Sequence, residues 1–370
     1  MKKIRIMHVL PSLEIGGMET ALITLINGMD TDLFENQIFC FDFKNYQNSI
    51  QHRLHDENIP IYIFEKGDGV DYWLPVKIAR IMRKQRIDIV HTRNFAALLY
   101  GAIAAKLAGV PGVIADIRGR IPVDEGQKCK RLSFLVSKFV GVSEDIKKML
   151  AIDFKIKESK IQTIYNGVQI SSNGQNSNLA SLRAQLGLAS NDFVIGTIGR
   201  LEPVKDYASL IRMSAPVLIK YRHAKLMIVG DGSQRAELEK LTQELGISSQ
   251  TIFTGYQKEV SNYLQLINLF ALTSISEGIS NVLLEAMANS IPVIATEVGG
   301  NPEVVRHNQT GLVIPRSNLN QITEKIELLI NNPELTKNLG LNGRKRVEEK
   351  FTIPKMVSEY QSLYRNSIKQ

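Results

Sequence analysis

Short β-branched apolar runs alternate with segments of helical period along nearly the whole chain. That alternation is the signature of parallel strands joined by helical crossovers. In the first half the runs 4–10, 37–42, 59–64, 87–91, 112–116, 139–143 and 161–165 read as strands. In the second half, strands are expected near 193–199, 224–229, 250–254, 269–273 and 292–295. Between the two sets, Ser171-Ser172-Asn173-Gly174-Gln175-Asn176-Ser177-Asn178 is polar and without period, which marks a domain boundary. The pattern predicts an α/β protein of two Rossmann-like domains with parallel sheets, 1–172 and 173–352. If the two face each other, the carboxyl ends of both sheets meet at one cleft. Chemistry is then expected just after the strands, in loops and at helix starts.

Composition agrees with this picture. A length of 370 residues is long for one core and comfortable for two. Hydrophobic residues make up 44% and charged residues 22%, ordinary values for a globular chain. The longest apolar runs are strand-sized, so no membrane-spanning helix is expected. The start, Met1 to Pro11, is broken by His8 and reads as a first buried strand instead of a secretion signal. Cys40 and Cys129 lie far apart with no metal-ligand spacing, which fits a reducing cytoplasm.

The net charge of +8 divides into +5 over residues 1–170 and +3 over 171–370. Such a spread lacks the dense basic stripe of a nucleic-acid binder and suits an anionic ligand or membrane surface better. Two first-half helices show an apolar stripe beside a basic face. One turns Leu74, Ile78, Ile81 and Met82 inward, with Lys77, Arg80, Arg83, Lys84 and Arg86 elsewhere. The other turns Leu132, Leu135, Val136 and Phe139 inward, with Lys128, Lys130, Arg131 and Lys138 outside. A solvated face is the default for both, and peripheral contact with anionic lipid at the inner membrane face is the sharper alternative.

Candidate chemistry concentrates in the second half. In Ser276-Glu277-Gly278-Ile279-Ser280-Asn281-Val282-Leu283-Leu284-Glu285, a strand gives way to a tight turn and a helix that Ser280 or Asn281 can cap. Amides at that helix start suit a phosphate, and two carboxylates suit ribose and sugar hydroxyls. Arg200 and Lys205 follow the strand 193–199 and can reach the same phosphates, one as a fork and one as a point charge. Gly16-Gly17, after the first strand, permits close approach of backbone amides to a ligand.

Gly230-Asp231-Gly232 invites a dinucleotide-fold reading. Arg235 stands where the third glycine belongs, and no acidic residue ends the next strand, which argues against a nicotinamide dehydrogenase. Asp30-Thr31-Asp32 has the D-x-D form of a metal motif but follows a helix, and reads as a helix-ending turn. His91, Arg93 and Asn94, after the strand 87–91, are expected on the acceptor side, with a buried structural histidine as the alternative for His91.

Glu277 and Glu285, separated by seven residues, resemble the E-x7-E motif of family-4 retaining glycosyltransferases of the GT-B class. Five further motifs follow that family's order: Gly16-Gly17-Met18-Glu19, Asn166-Gly167-Val168, Gly199-Arg200-Leu201 with Lys205, Val229-Gly230-Asp231-Gly232, and Thr296-Glu297-Val298-Gly299-Gly300 with Glu303. Each is weak alone; six in order are highly specific. Many relatives place a histidine after the strand that here reads Ala115-Asp116-Ile117-Arg118-Gly119-Arg120, where Arg118 or Asp116 would substitute.

The resemblance implies a GT-B-like fold whose last helix, 353–370, returns toward the first domain. It implies retaining transfer of a hexose or N-acetylhexosamine, UDP-linked by family frequency, to a glycan, lipid-linked or other cell-envelope acceptor. No cofactor and no catalytic metal are expected. Glu277, Arg200, Lys205 and Arg118 would be catalytic. Gly16, Gly17, Gly199, Gly230, Gly278, Ile279, Ser280, Asn281 and Glu285 would hold the donor, and His91, Arg93, Asn94 and Asp116 the acceptor side. A sugar-nucleotide epimerase of the same architecture and a catalytically silent sugar-nucleotide-binding partner are the rival readings; a bilobal solute-binding protein is disfavoured by the absence of a secretion signal.

Overall fold

The computed structural model describes residues 2–14, 16–41, 49–66, 69–170 and 179–368. The chain forms two compact units, unit 1 of residues 1–167 with 353–370 and unit 2 of residues 168–352. The polar segment 171–178, the expected boundary, lies outside the described residues, as does Asp42 at the end of the expected strand 37–42.

Unit 1 runs β1 Ile4–Leu10, α1 Gly17–Gly28, β2 Phe34–Cys40, β3 Ile61–Ile63, α2 Leu74–Gln85 and β4 Ile89–Thr92. It continues with α3 Phe95–Ala108, β5 Gly112–Ile117, α4 Val123–Leu132, β6 Lys138–Gly141, α5 Glu144–Lys148 and β7 Ile161–Thr163. The seven strands pair in parallel in the order β3-β2-β1-β4-β5-β6-β7. Strand order therefore reverses between β1 and β4, the kind of switch point where such sheets bind ligands.

Unit 2 runs α6 Leu179–Gln185, β8 Phe193–Ile198, α7 Tyr207–Lys220, β9 Ala224–Val229, α8 Arg235–Glu244, β10 Thr251–Gly255 and α9 Ser261–Leu264. After these come β11 Leu269–Leu272, α10 Asn281–Ala288, β12 Val293–Thr296, α11 Asn301–Val304, β13 Leu312–Ile314, α12 Gln321–Asn331 and α13 Pro333–Lys350. Its six strands are parallel in the order β10-β9-β8-β11-β12-β13, with the switch between β8 and β11. The chain then re-enters unit 1 as α14, Ile353–Ile368.

Strand parity decides what α14 covers. Ile6 lies opposite Ile89, and His8 opposite His91, which in turn pairs with Ile114. Residues two apart share a face, so Ile6, His8, Ile89, His91, Ile114 and Asp116 point to one side. Ile6, Ile89, Ile114 and Val140 pack there against Met356, Val357, Tyr360, Leu363 and Tyr364 of α14 and Leu25 of α1. The same face thus carries an apolar half and a polar half.

Three expectations are corrected. Strand β2 begins at Phe34, earlier than the apolar run at 37, because its polar residues find partners: Arg5 bonds Glu35 at 3.3 Å, and Asn36 meets the His8 ring at 3.0 Å. Strand β13, only Leu312–Ile314, was not expected at all. The second basic helix ends at Leu132, so Leu135 and Val136 lie in turns and Phe139 in β6. Lys160 Nζ takes the carbonyls of Ser133 and Val136 at 2.7 and 2.8 Å, and those groups sit in tight turns instead of a continuing helix. The helical spacing of those four apolar residues is therefore coincidental.

Candidate active site

Unit 2 builds its loops by laying backbone against backbone at the carboxyl ends of β8, β9, β11 and β12. Gly199 N–H donates to the Val229 carbonyl at 2.9 Å, and Leu201 N–H to the Asp231 carbonyl at 2.9 Å. A side chain on Gly230, at φ 135°, would stand 2.0 Å from the Gly199 oxygen. Gly300 N–H donates to the Gly278 carbonyl at 2.8 Å, and a Cβ on Gly299, at φ 51°, would come within 1.8 Å of the Glu277 oxygen. Both positions combine a left-handed backbone with no room, so only glycine serves. The glycines of these sequence motifs join neighbouring loops to one another.

Within that frame, Lys205 and Glu277 meet. Lys205 Nζ lies 2.7 Å from Glu277 Oε1, and the buried Ser274 hydroxyl donates to the same oxygen at 2.6 Å. The two residues come from the loops after β8 and β11, which flank the switch point of this sheet. Arg200, exposed, lies in the same loop as Lys205.

Residues that sequence reading missed hold this pair in place. Thr273 Oγ1 donates to the carbonyls of Lys205 and Asp206 at 3.2 and 2.9 Å. Arg316, after β13, bonds the Asp206 carboxylate and donates to the Thr273 carbonyl at 3.2 Å. Asp206 itself sits at φ 50°, an uncommon conformation for a residue other than glycine, and caps α7 through Ser209 N–H at 3.3 Å. Thr273 and Ser274 adjoin the acidic loop and so were within reach of a sequence argument. Arg316 was not, because β13 was unseen.

Helix α10 starts at Asn281 with Ser280 in the N-cap place. Ser280 does not cap it as expected: its buried hydroxyl has no hydrogen-bond partner among the described residues. The helix start thus keeps its amide donors and adds an orphan hydroxyl beside them. Glu285 is half-buried, on the second turn of α10. Gly278 and Ile279 are buried in the turn before it.

Unit 1 places its charges differently. His91 and Arg93, expected on the acceptor side, are sealed from solvent, with Arg93 1% exposed. Their neighbours are Asp116, His8, Tyr360 and Tyr364, so these two residues act as support and make no surface. Asp116 is likewise buried, at the centre: its Oδ2 lies 3.1 Å from Arg118, 3.2 Å from Arg93 and 3.7 Å from the His91 ring, and accepts from the Tyr360 hydroxyl at 3.2 Å. Burial alone would raise the Asp116 carboxyl; Arg118 first, then His91 and Arg93, hold it well below the usual carboxylate range. Burial, and then Arg93, push His91 down to about 4, so it is neutral at pH 7.

Arg118 alone of this group reaches the surface, its side chain 13% exposed. It is held on its other side by Asn166, whose Oδ1 accepts from Arg118 at 2.6 Å. Asn94 caps α3 by accepting from Ala97 N–H at 2.7 Å. Gly16 takes the N-cap place of α1, and Gly17 opens that helix. Asp30 bonds Asp32 N–H at 2.9 Å within the turn that leads into β2.

Two parallel doubly wound sheets, the second with cation, carboxylates and a helix start at its switch point, define a GT-B glycosyltransferase. Residues 15–172 match the family model Glycosyltransferase Family 4, and residues 180–346 match Glycosyl transferases group 1. The chain belongs to the family-4 glycosyltransferases and is an enzyme of that class. It is 28% identical over 346 residues to the capsular polysaccharide biosynthesis glycosyltransferase CapM of Staphylococcus aureus, which covers 89% of this chain and 88% of that protein. It is 24% identical over 378 residues to the UDP-Gal:alpha-D-GlcNAc-diphosphoundecaprenol alpha-1,3-galactosyltransferase of Escherichia coli, covering 98% of this chain and 97% of that one. In fold it is similar to Anabaena Alr3699/HepE in complex with UDP-glucose, with a TM-score of 0.86 at 22% identity over 98% of this chain and 100% of the other.

Proposed function

We propose that this enzyme transfers a hexose or N-acetylhexosamine, with retention, from a UDP-sugar to a glycan or lipid-linked acceptor of the cell envelope. The observation that carries the reading is the Lys205–Glu277–Ser274 constellation beside the start of α10. It offers a cation and helix-start amides to a diphosphate, and carboxylates to hydroxyl groups. An ammonium has three donors, so Lys205 can serve Glu277 and a phosphate oxygen together. In this reading Glu285 accepts from ribose hydroxyls and Glu277 from the sugar. Lys205, Arg200, the α10 amides and the orphan Ser280 hydroxyl stabilise the charge that develops on the departing diphosphate. Arg118 acts on the transfer step, in the place where relatives carry histidine. The leaving phosphate takes the acceptor's proton on the same face, and no metal is required.

The donor base and the envelope acceptor are supported by what relatives are named for: capsular polysaccharide in one, a UDP-sugar and a diphosphoundecaprenol-linked acceptor in another. For a lipid-linked acceptor, contact with an anionic bilayer is part of the proposal. Among the described residues no helix is long and apolar enough to cross a membrane. Trp73 (72% exposed), Lys77, Arg80 and Lys84 form one outward stripe at the start and along α2, the composition of an interfacial helix. A thermal-shift panel of UDP-glucose, UDP-galactose, UDP-N-acetylglucosamine and UDP tests the donor. At least one should raise the melting temperature, since a ligand of the folded state stabilises by mass action. No shift with any of them would sink the reading.

A further inference from the structure

The acidic hub of unit 1 joins three parts of the chain that lie far apart in sequence. Asp116 ends β5, Arg118 follows it by two residues, and Tyr360 arrives on α14 after the chain has built the whole of unit 2. Two guanidinium groups face this one carboxylate, and Asp116 Oδ1 and the Arg93 nitrogens form no hydrogen bond among the described residues. A buried carboxylate between two cations can turn toward either one. Asp116 Oδ2 lies between both cations, 3.1 Å from Arg118 and 3.2 Å from Arg93, and a third, uncharged donor meets it there. The Tyr360 hydroxyl donates to that same oxygen at 3.2 Å, and the Tyr360 ring lies 6.0 Å from the Arg93 guanidinium carbon.

We propose that Tyr360 is a positioning residue for Arg118, acting through Asp116, so that docking of the last helix sets the aim of the one guanidinium in this cluster that reaches the surface. The chain of contacts is direct: Tyr360 hydroxyl to Asp116 Oδ2 at 3.2 Å, the same Oδ2 to Arg118 at 3.1 Å, and Arg118 to Asn166 at 2.6 Å. With two of its nitrogens engaged in this way, Arg118 keeps its remaining N–H donors for a substrate. Tyr364, one turn further along α14, bonds the His91 ring at 2.7 Å instead, and so supplies a control on the same helix surface. The proposal rests on the reading that Arg118 takes part in sugar transfer.

The test measures UDP release from UDP-glucose, UDP-galactose and UDP-N-acetylglucosamine, with water as acceptor, by the full chain. Four variants are compared with it: Tyr360→Phe, Arg118→Ala, the two combined, and Tyr364→Phe. Tyr360→Phe should lower kcat about tenfold, while the donor KM stays within about twofold. The double variant should be no slower than Arg118→Ala, because the hydroxyl acts only through that guanidinium. Tyr364→Phe should lower the melting temperature as Tyr360→Phe does and keep the parent kcat. Losses that multiply in the double variant, or a Tyr360→Phe enzyme that melts lower yet turns over normally, would overturn the proposal. A normal kcat in Arg118→Ala would instead refute the role of Arg118 and remove the ground of the inference. Should Tyr360→Phe fail to fold, Tyr360→His, which keeps a donor, replaces it, and restored turnover relative to Tyr360→Leu is the expected result; equal turnover in both counts against the proposal.

Discussion

The two units share a parallel doubly wound sheet and differ in what they do with charge at its carboxyl end. In unit 1, Arg93, Asp116 and two histidines lie under α14, and only Arg118 emerges. In unit 2, Lys205 and Glu277 are partly buried, with side chains 23% and 10% exposed, on loops that backbone hydrogen bonds and glycines clamp together, and Glu285 is half-buried on α10. A buried ionic cluster is costly and intolerant of losing one member, whereas an ion pair on loops at the surface tolerates substitution better and can also meet a ligand. Equivalent substitutions should therefore be read out as stability in unit 1 and as binding or turnover in unit 2.

The largest effect is expected from Asp116→Ala. It leaves Arg93 and Arg118 buried beside no carboxylate, which should cost about 3–5 kcal/mol of folding stability. Urea denaturation followed by hydrogen exchange should show the loss in unit 1. A melting curve equal to the parent's would break the comparison.

Glu277→Ala should do the reverse in unit 2. Turnover should fall by ~10², while stability and nucleotide affinity change little, because contacts near the reacting carbon are lost. Glu285→Ala should instead weaken donor binding. Steady-state kinetics beside direct nucleotide titration separate the two, and full activity in both variants would remove these glutamates from the site.

Acidification sharpens the contrast further. The folded value of His91, about 4, is lower than its ordinary 6.5. The unfolded chain takes up a proton between those values and the folded one does not, so stability is full above 6.5 and declines as pH falls toward 4. By pH 5 the loss from this group is on the order of 2 kcal/mol. Burial and the neighbouring His91 and Arg93 hold His8 down too, in the same direction. Hydrogen exchange at pH 7 and pH 5 should therefore show unit 1 loosening as His8 and His91 come under strain.

The smallest effect concerns α2. Arg80→Glu with Lys84→Glu should weaken sedimentation with vesicles of phosphatidylglycerol, each cation contributing about 1 kcal/mol, and raised salt should weaken the parent in the same way. Binding indifferent to salt, or none at low salt, leaves those residues as a solvated face.

Much of this organisation was legible in the sequence because it rests on short-range pattern. Alternating runs gave every described strand except β13 within a few residues, and the glycine motifs marked the places where loops cross. Glu277, Lys205 and Arg200 could be named as candidates because they follow strands, and the structure brings Lys205 and Glu277 into contact. The partners of the unit 1 cluster were not, since Tyr360 lies 244 residues after Asp116 and only the return of α14 brings them together. Parity could have placed His8, His91 and Asp116 on one face; nothing in the sequence said that a helix seals it. Arg316 was missed for a similar reason, behind a three-residue strand. The false continuation of α4 shows the opposite error, a helical spacing undone by Lys160 from another element.

The central claim is that fixed cations at the switch point of unit 2 take the diphosphate of a nucleotide sugar. Calorimetric titration of UDP, GDP, ADP and dTDP into the full chain in EDTA, parent against Lys205→Ala, tests it most directly. One nucleotide should bind the parent at one site without metal, and Lys205→Ala should weaken it tenfold or more, as loss of a charge-assisted contact of roughly 1.5–3 kcal/mol requires. Binding that appears only with magnesium or manganese, or that Lys205→Ala leaves unchanged, would contradict the account.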